Sequence, residues 1–132
     1  MIIAIDFDGT IVENKYPQIG REIPFATETI KALEKKGHRI ILWTMRYGEL
    51  LDEAVAFCES RGVSFYAVNK SFPEEEFDEK LSRKVNADLF IDDRNYGGLP
   101  SWGEIYQKLC PGNDKNMIYK KPKGLISKLI GK

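Results

Sequence analysis

The sequence predicts a single-domain, three-layer α/β sandwich with a parallel sheet and helices on both faces. Short apolar runs alternate with stretches whose apolar residues recur at helical spacing, which is typical of strand–helix–strand units. Such units form parallel sheets through right-handed crossovers. The chain has 132 residues, of which 42% are apolar, so it is long enough for one core and too short for two domains.

Four apolar runs are the predicted strands, and two amphipathic stretches between them are the predicted helices. The strands cover residues 2–7, 39–44, 64–68 and 89–91, and the helices begin at Pro24 and Gly48. Each helix ends at basic residues followed by a glycine, Gly37 in the first and Gly62 in the second, which is a common way to close a helix. This order of elements predicts a Rossmann-like sheet.

Charge and composition divide the chain into a core domain, residues 1–110, and a basic extension, residues 111–132. The core has 14 basic and 19 acidic residues, whereas the extension has six lysines and one aspartate. No apolar run approaches the roughly 20 residues of a membrane span, and the first one lacks the positive flank of a signal peptide. Because Cys58 and Cys110 match neither a disulfide framework nor metal-ligand spacing, we expect a reduced cytoplasmic protein.

The most informative motif is Asp6-Phe7-Asp8-Gly9-Thr10, directly after the first apolar strand. Residues i and i+2 of a strand point to the same side, so the Asp6 and Asp8 carboxylates are expected to leave the strand end together. The carboxyl edge of the sheet is where open α/β proteins bind ligands. Two like charges held so close are unfavourable unless a cation or a shared proton relieves them. The motif therefore indicates a chemical site.

Further polar residues follow or precede the other predicted strands. Asp92 and Asp93 come directly after the fourth strand, and paired carboxylates suit Mg²⁺, a hard cation that prefers oxygen ligands. Thr44 ends the second strand and can serve a phosphate oxygen. A lysine is also needed to neutralise phosphate charge, and both Lys80 and Lys84 precede the fourth strand.

In these motifs the chain resembles phosphatases of the haloacid-dehalogenase-like (HAD) superfamily over roughly residues 1–109. The residues that match the four family motifs in order are Asp6-x-Asp8-Gly9-Thr10, Thr44, Lys84 (with Lys80 as the reserve) and Asp92-Asp93. The segment Trp43-Thr44-Met45-Arg46 is also similar to a small, mostly uncharacterised bacterial and phage subgroup of that superfamily.

The resemblance implies a Mg²⁺-dependent phosphomonoester hydrolase that works through an aspartyl-phosphate intermediate. Asp6 would be the nucleophile, and Asp8 would act as general acid and then as general base. Mg²⁺ would be bound by the Asp6 carboxylate, the Asp8 main-chain carbonyl and Asp92. Asp93 would bind a water of the ion or orient nearby groups.

The resemblance also implies how the substrate is held. Main-chain N–H groups at Phe7 and Gly9, together with Thr44 and Lys84, would bind the phosphoryl oxygens where negative charge develops. Candidate pocket residues that follow strand ends are Arg46, Asn69 and Arg94.

Only two short insertions, residues 11–23 and 69–88, are available to cover the site, so no large cap domain is expected. Cap-less members of the superfamily have open sites that often admit large or extended phosphoesters, and a phosphorylated small molecule is the other candidate substrate if oligomerisation covers the mouth of the site. Nucleic acid is disfavoured as a partner because loop aromatics more often pack on the core than stack on bases. The alternatives are a polynucleotide or nucleotide phosphatase, a phosphotransferase, and, from a different class, a non-catalytic phospho-ligand binding protein.

Overall fold

A computed structural model describes residues 1–112, which contain a four-stranded parallel sheet, a two-stranded hairpin and three helices. In chain order the elements are β1 (Ile2–Ile5), β2 (Val12–Lys15), β3 (Gln18–Glu22), α1 (Ala26–Lys35), β4 (Arg39–Leu42), α2 (Gly48–Glu59), β5 (Ala67–Val68), β6 (Leu89–Ile91) and α3 (Trp102–Leu109). The predicted basic extension lies outside the described residues except for its first two positions.

The parallel sheet has the spatial order β5-β4-β1-β6, so β1 lies between β4 and β6. Ile5, the last residue of β1, is paired with Leu42 at the end of β4 and with Ile91 at the end of β6. The three strands therefore end at the same level, and the polar residues that follow them meet at one edge of the sheet. The predicted fold class and the predicted position of the first strand are confirmed.

Alternate residues of the central strands face two separate apolar clusters, as the two-residue repeat of a strand requires. Ile3 and Ile5 belong to the larger cluster, which contains the buried residues of all three helices, whereas Ala4 belongs to the smaller one. The smaller cluster also contains Val85, from the irregular segment 69–88. Within residues 1–112 this segment, and no helix, covers the second face, a detail that departs from the predicted helices on both faces.

β1 and β4 are shorter than predicted because the chain leaves the sheet before the apolar run is finished, whereas β5 is shorter because it begins at Ala67 and not at Ser64. β1 was expected to reach Phe7 but ends at Ile5, β4 ends two residues before Thr44, and β5 has only two residues. The backbone pairing continues one residue further, since the Asp6 N–H donates to the Ile91 carbonyl at 3.0 Å. Asp6 is therefore held by the sheet, although it lies outside the regular strand.

The helix expected from Pro24 begins at Ala26, because the intervening Phe25 adopts a left-handed conformation with φ of 69°. The second predicted helix begins at Gly48, as expected, and ends at Glu59.

Two elements were not predicted, the hairpin β2–β3 and helix α3. The hairpin lies within residues 11–23, whose polar composition resembles that of a linker. Helix α3 had a recognisable signal, because Ser101 and Glu104 form a capping box in which each side chain bonds the other's main-chain N–H. Trp102 at the start of α3 is buried, and its indole Nε1 donates to the Thr10 carbonyl at 2.8 Å. Helix α3 therefore supports the loop that follows β1.

No helix within residues 1–112 combines the length and the apolar character needed to cross a lipid bilayer.

Candidate active site

Three carboxylates meet at the carboxyl edge of the sheet. Asp6 follows β1, Asp92 and Asp93 follow the adjacent strand β6, and one oxygen of each lies within 4.8 Å of the others. All three side chains are half-buried. The parallel pairing of β1 with β6 is what brings together residues that are 86 positions apart in the sequence.

The buried Thr10 hydroxyl links two of these carboxylates. Its Oγ1 lies 3.1 Å from Asp6 Oδ2 and 3.2 Å from Asp93 Oδ1, and it accepts a hydrogen bond from the Asp93 main-chain N–H at 3.0 Å. A hydroxyl has one proton to donate, so it serves one carboxylate at a time. Thr10 was part of the predicted motif without an assigned role, and the structure places it as the connection between Asp6 and Asp93.

Asp6 is the most perturbed acid of the cluster. Burial, followed by the charge of Asp92 and a hydrogen bond with Asp93, raises the pKa of Asp6 to about 7. Hydrogen bonds from the Phe7 main chain and the Thr10 hydroxyl act in the opposite direction but do not compensate. A divalent cation would remove this repulsion, and three carboxylates form an all-oxygen donor set that suits Mg²⁺. The chemistry of the cluster therefore fits the predicted metal.

Asp8 does not join the cluster, although it was expected to leave the strand beside Asp6. The strand geometry that justified this expectation ends at Ile5, and residues 7–12 form a tight turn. The Asp8 carboxylate instead pairs with Arg46. Its Oδ2 accepts a hydrogen bond from Arg46 Nε at 2.8 Å, and its Oδ1 accepts one from Arg46 Nη2 at 2.8 Å. The Asp8 main-chain carbonyl as a metal ligand stays a prediction, because it does not depend on the side chain.

Arg46 was predicted to line the substrate pocket, but in the structure its side chain contacts other parts of the chain. Its side chain is completely buried, with Nη1 bonded to the Leu50 carbonyl at 3.3 Å and Nη2 bonded to the Gln18 carbonyl at 3.1 Å. Its guanidinium also lies over the rings of Phe7 and Tyr16. The hydrogen bonds to Asp8 raise the pKa of Arg46 above its usual value, so the group is a permanent internal cation.

Gly9 was predicted to offer its N–H to a phosphoryl oxygen, but this N–H donates to the Val12 carbonyl at 2.7 Å. The residue is needed for a different reason. Its φ is +86°, and a Cβ at this position would lie 2.8 Å from the Asp93 Cγ. Glycine is therefore the residue that allows the first motif to approach the acidic pair after β6.

Thr44 lies in the loop after β4, and Asn69 holds this loop in place. The Thr44 N–H donates to Asn69 Oδ1 at 2.8 Å, and Asn69 Nδ2 donates to the Arg46 carbonyl at 3.4 Å. The Thr44 hydroxyl accepts the Arg46 N–H at 3.1 Å and retains its own proton as a donor. Asn69 adopts a left-handed conformation, with φ of 54°, which asparagine tolerates better than most residues.

Neither predicted lysine contacts the acidic cluster within residues 1–112. The Lys84 amino group lies 5.1 Å from the centroid of the Phe90 ring. Phe90 is paired with Ala4 in the middle of β1 and packs on the smaller apolar cluster, away from the sheet edge. Lys80 is exposed. The choice of Lys84 is therefore not supported by its position.

Lys70 is a cation that sequence reasoning missed. β5 is paired with β4 at Val68 and Leu42, so Lys70 and Thr44 each lie two residues beyond the end of adjacent strands. Lys70 is half-buried, and no hydrogen bond or ion pair joins it to another residue between positions 1 and 112. The sequence did contain a signal for this residue, because Lys70 lies two residues after the predicted strand 64–68 and is therefore expected near the sheet edge.

A cavity of about 390 Å³ opens beside this loop. Its lining residues are Asn69, Lys70, Ser71, Glu75, Glu76, Phe77, Asp78, Leu81, Ser82, Arg83 and Val85. Of the three candidate pocket residues only Asn69 lines it. Arg94 is exposed and lies elsewhere, after β6. Because Asn69 also binds the Thr44 loop, the cavity lies beside that loop, but none of the three clustered carboxylates lines it.

No protein-family model matches this chain, and no curated protein matches it. One similar solved structure is that of a conserved protein from Bacteroides thetaiotaomicron. The two sequences are 57% identical, the match covers 92% of this chain and 98% of that one, and the TM-score is 0.79. With that identity over nearly the whole of both chains, this protein belongs to the same family as the conserved Bacteroides thetaiotaomicron protein.

Proposed function

We propose that this protein is a Mg²⁺-dependent phosphomonoester hydrolase of the HAD type. One observation carries the proposal: Asp6, with its pKa raised to about 7, clusters with Asp92 and Asp93, while Asp8 lies two residues away and outside the cluster. Four acids at one sheet edge thus fall into a metal-binding set and a separate acid/base. This division matches the roles that the family resemblance implies.

Asp6, Asp92 and Asp93 would hold Mg²⁺, which lowers the repulsion among them and neutralises charge on the phosphoryl group. In the first step an Asp6 carboxylate oxygen forms a bond to phosphorus while the bond from phosphorus to the ester oxygen breaks. The ester oxygen leaves with a proton supplied by Asp8. The product bound to the protein is an aspartyl-phosphate at Asp6.

In the second step Asp8, now ionised, takes a proton from water as the water oxygen attacks the same phosphorus. The bond from phosphorus to Asp6 breaks, and phosphate leaves with Asp6 restored. The Thr44 hydroxyl, which has a free proton, and the Lys70 amino group are the proposed donors to the phosphoryl oxygens.

Hydrolysis of p-nitrophenyl phosphate tests this function directly. We expect activity that requires Mg²⁺, disappears with EDTA and is absent in Asp6→Asn. The matched control is Asp52→Asn, an exposed carboxylate on helix α2 that should retain full activity. If the parent protein is inactive but captures beryllium fluoride at Asp6 in the presence of Mg²⁺, it is a hydrolase selective for another ester. Absence of both activity and capture would favour the non-catalytic phospho-ligand binding protein.

Asp8→Asn is expected to lower turnover by about 10²–10⁴-fold, the usual contribution of general acid–base catalysis. The stabilisation of the protein by Mg²⁺ should remain, because the Asp8 carboxylate is not part of the metal-binding set. Turnover and melting temperature with and without Mg²⁺ are the measurements. A loss of the Mg²⁺ response in Asp8→Asn would contradict the assignment of roles.

Lys70→Met is expected to lower kcat/KM by about 10²-fold or more, as removal of a donor to developing charge commonly does. Lys84→Met and Lys80→Met should stay within a few-fold of the parent, since Lys84 lies over Phe90, away from the sheet edge, and Lys80 is exposed. Steady-state kinetics on all three variants decide between them. An inactive Lys84→Met with an active Lys70→Met would restore the original assignment.

The open edge of the sheet favours a phosphorylated small molecule or an extended phosphoester as substrate. Within residues 1–112 only the hairpin β2–β3 and the segment 69–88 lie where a cap could be inserted. The net negative charge of residues 1–110 does not favour nucleic acid. The buried free thiols of Cys58 and Cys110 are consistent with the cytoplasm as the proposed location.

A further inference from the structure

Arg46 is the most completely enclosed cation between residues 1 and 112, and its contacts lead in two directions. One set fixes it to its own part of the chain: the main-chain N–H donates to the Thr44 hydroxyl, and Nη1 donates to the Leu50 carbonyl in α2. The other set reaches outward to the Asp8 carboxylate and to the Gln18 carbonyl in the hairpin β2–β3. Arg46 is therefore a fixed point to which two separate segments are attached.

The two attachments share one nitrogen. Nη2 donates to Asp8 Oδ1 at 2.8 Å and to the Gln18 carbonyl at 3.1 Å. A guanidinium is planar and rigid, so a rotation that frees Asp8 also breaks the bond to Gln18. The Tyr16 ring, which lies in the hairpin turn, packs on the same guanidinium with 5.2 Å between the ring centroid and the Cζ atom. The hairpin is therefore held by the same group that holds Asp8.

Both Asp8 oxygens accept hydrogen bonds from Arg46 in this arrangement. These two bonds therefore set the direction in which the Asp8 carboxylate points. We propose that Arg46 is a positioning residue that holds the Asp8 carboxylate and the hairpin β2–β3 in one arrangement, so that loss of the guanidinium releases both. The proposal rests on the proposed function for the role of Asp8, whereas the link to the hairpin depends on the contacts alone.

Hydrogen exchange of the hairpin amides tests the link without any substrate. Arg46→Met removes all three outward bonds and is expected to accelerate exchange at hairpin amides by about tenfold or more, while amides of the central strands keep their protection. Asp8→Asn should accelerate the exchange of hairpin amides less, because the asparagine side chain keeps one oxygen that can accept a hydrogen bond from Arg46. The matched control is Arg21→Met, which removes an exposed hairpin arginine that within residues 1–112 pairs only with Glu13, at 3.3 Å, and should change exchange much less.

A double-mutant cycle on p-nitrophenyl phosphate hydrolysis tests whether Arg46 acts through Asp8. Arg46→Met should lower kcat by about 10²-fold with little change in KM, the size expected from a misplaced catalytic group. In the Asp8→Asn background the same substitution should lower kcat less than threefold. Arg46→Lys, which keeps the charge without the planar fork, should restore little of kcat but most of the melting temperature.

Two results would overturn the proposal. Equal losses of kcat from Arg46→Met in the parent and in Asp8→Asn would mean that Arg46 acts on the substrate by another route. Unchanged hairpin exchange in a folded Arg46→Lys and Arg46→Met would mean that the hairpin is held by its own bonds. If the parent protein shows neither hydrolysis of p-nitrophenyl phosphate nor capture of beryllium fluoride, the proposed function fails, and the exchange experiment still decides whether Arg46 holds the hairpin.

Discussion

An Asp6→Asn variant is expected to lose at least about 10⁴-fold in phosphatase turnover and, without metal, to be more stable than the parent protein at pH 8. The activity is lost because a neutral amide is not a competent nucleophile toward phosphorus. The stability is gained because the same amide removes one negative charge from the cluster with Asp92 and Asp93. A residue required for the chemistry is thus expected to be one that destabilises the metal-free fold.

The sign of the pH dependence follows from the raised pKa of Asp6. In the unfolded chain the carboxyl loses its proton near 3.8, whereas in the folded protein it keeps the proton up to a pKa of about 7. The folded state then binds more protons than the unfolded state between these values, so stability falls as the pH rises from about 4 to about 7 and is level above that. After allowance for solvent screening, the loss is on the order of 1–2 kcal/mol.

Thermal unfolding of the metal-free proteins at pH 4 and pH 8 measures this effect. We expect Asp6→Asn and the parent to melt at similar temperatures at pH 4 and to differ by roughly 3–8 °C at pH 8. Mg²⁺ should stabilise the parent strongly at pH 8 and the variant weakly. Asp52→Asn, as the exposed control, should follow the parent at both pH values. Equal responses of Asp6→Asn and the parent to pH and to Mg²⁺ would show that Asp6 belongs to no charged cluster.

The sheet was predictable because its strands are short, continuous apolar runs. Such runs are typical of strands in a parallel sheet that is buried on both faces. β6 has the predicted bounds, residues 89–91. The hairpin β2–β3 was missed because β2 buries only its first residue, Val12, and three polar residues follow. Its amino acid pattern is that of a linker, and its strands are held by each other and by contacts such as Arg46 to the Gln18 carbonyl.

The clustering of Asp6 with Asp92 was predictable for a topological reason. Asp6 and Asp92 follow strands that end at the same level. Adjacent parallel strands bring such residues together independently of the conformation of the connecting loops. The pairing of Asp8 with Arg46 was not predictable, because it depends on how two loops 38 positions apart bend beyond their strands. Sequence spacing gives no information on a contact between two loops. The sequence showed only that Arg46 follows a strand end, and this position predicted a pocket residue.

The prediction of a lysine for phosphate binding shows the same limit. Lys84 was chosen because its spacing from Asp92 resembles that of the family motif, but spacing along the irregular segment 69–88 does not fix direction in space. Lys70 stands at a position that the sheet does fix, two residues beyond the end of β5. A residue directly after a strand is placed by the register, whereas one in the middle of a long loop is not.

The second large effect is expected from Gly9→Ala, which should abolish most of the Mg²⁺ response and lower turnover by at least about 10²-fold. The added methyl group would lie 2.8 Å from the Asp93 Cγ, so either Asp93 or the loop after β1 must move. The Thr10 hydroxyl accepts a hydrogen bond from the Asp93 main-chain N–H. The same hydroxyl also lies within hydrogen-bond distance of the Asp93 carboxylate and of the Asp6 carboxylate. A shift of Asp93 is therefore transmitted to the nucleophile itself.

Gly37→Ala separates this clash from the strain of the backbone. Gly37 has φ of +95°, close to the +86° of Gly9, but a Cβ there would meet nothing within 4 Å. Both variants should lose about 1 kcal/mol because alanine tolerates a left-handed conformation less well than glycine, and Gly9→Ala should lose more because of its contact with Asp93. Only Gly9→Ala should also lose the rise in melting temperature with Mg²⁺ and the hydrolysis of p-nitrophenyl phosphate. If the two variants lose equal stability and both keep their Mg²⁺ response, the approach of the first motif to Asp93 is not what builds the site.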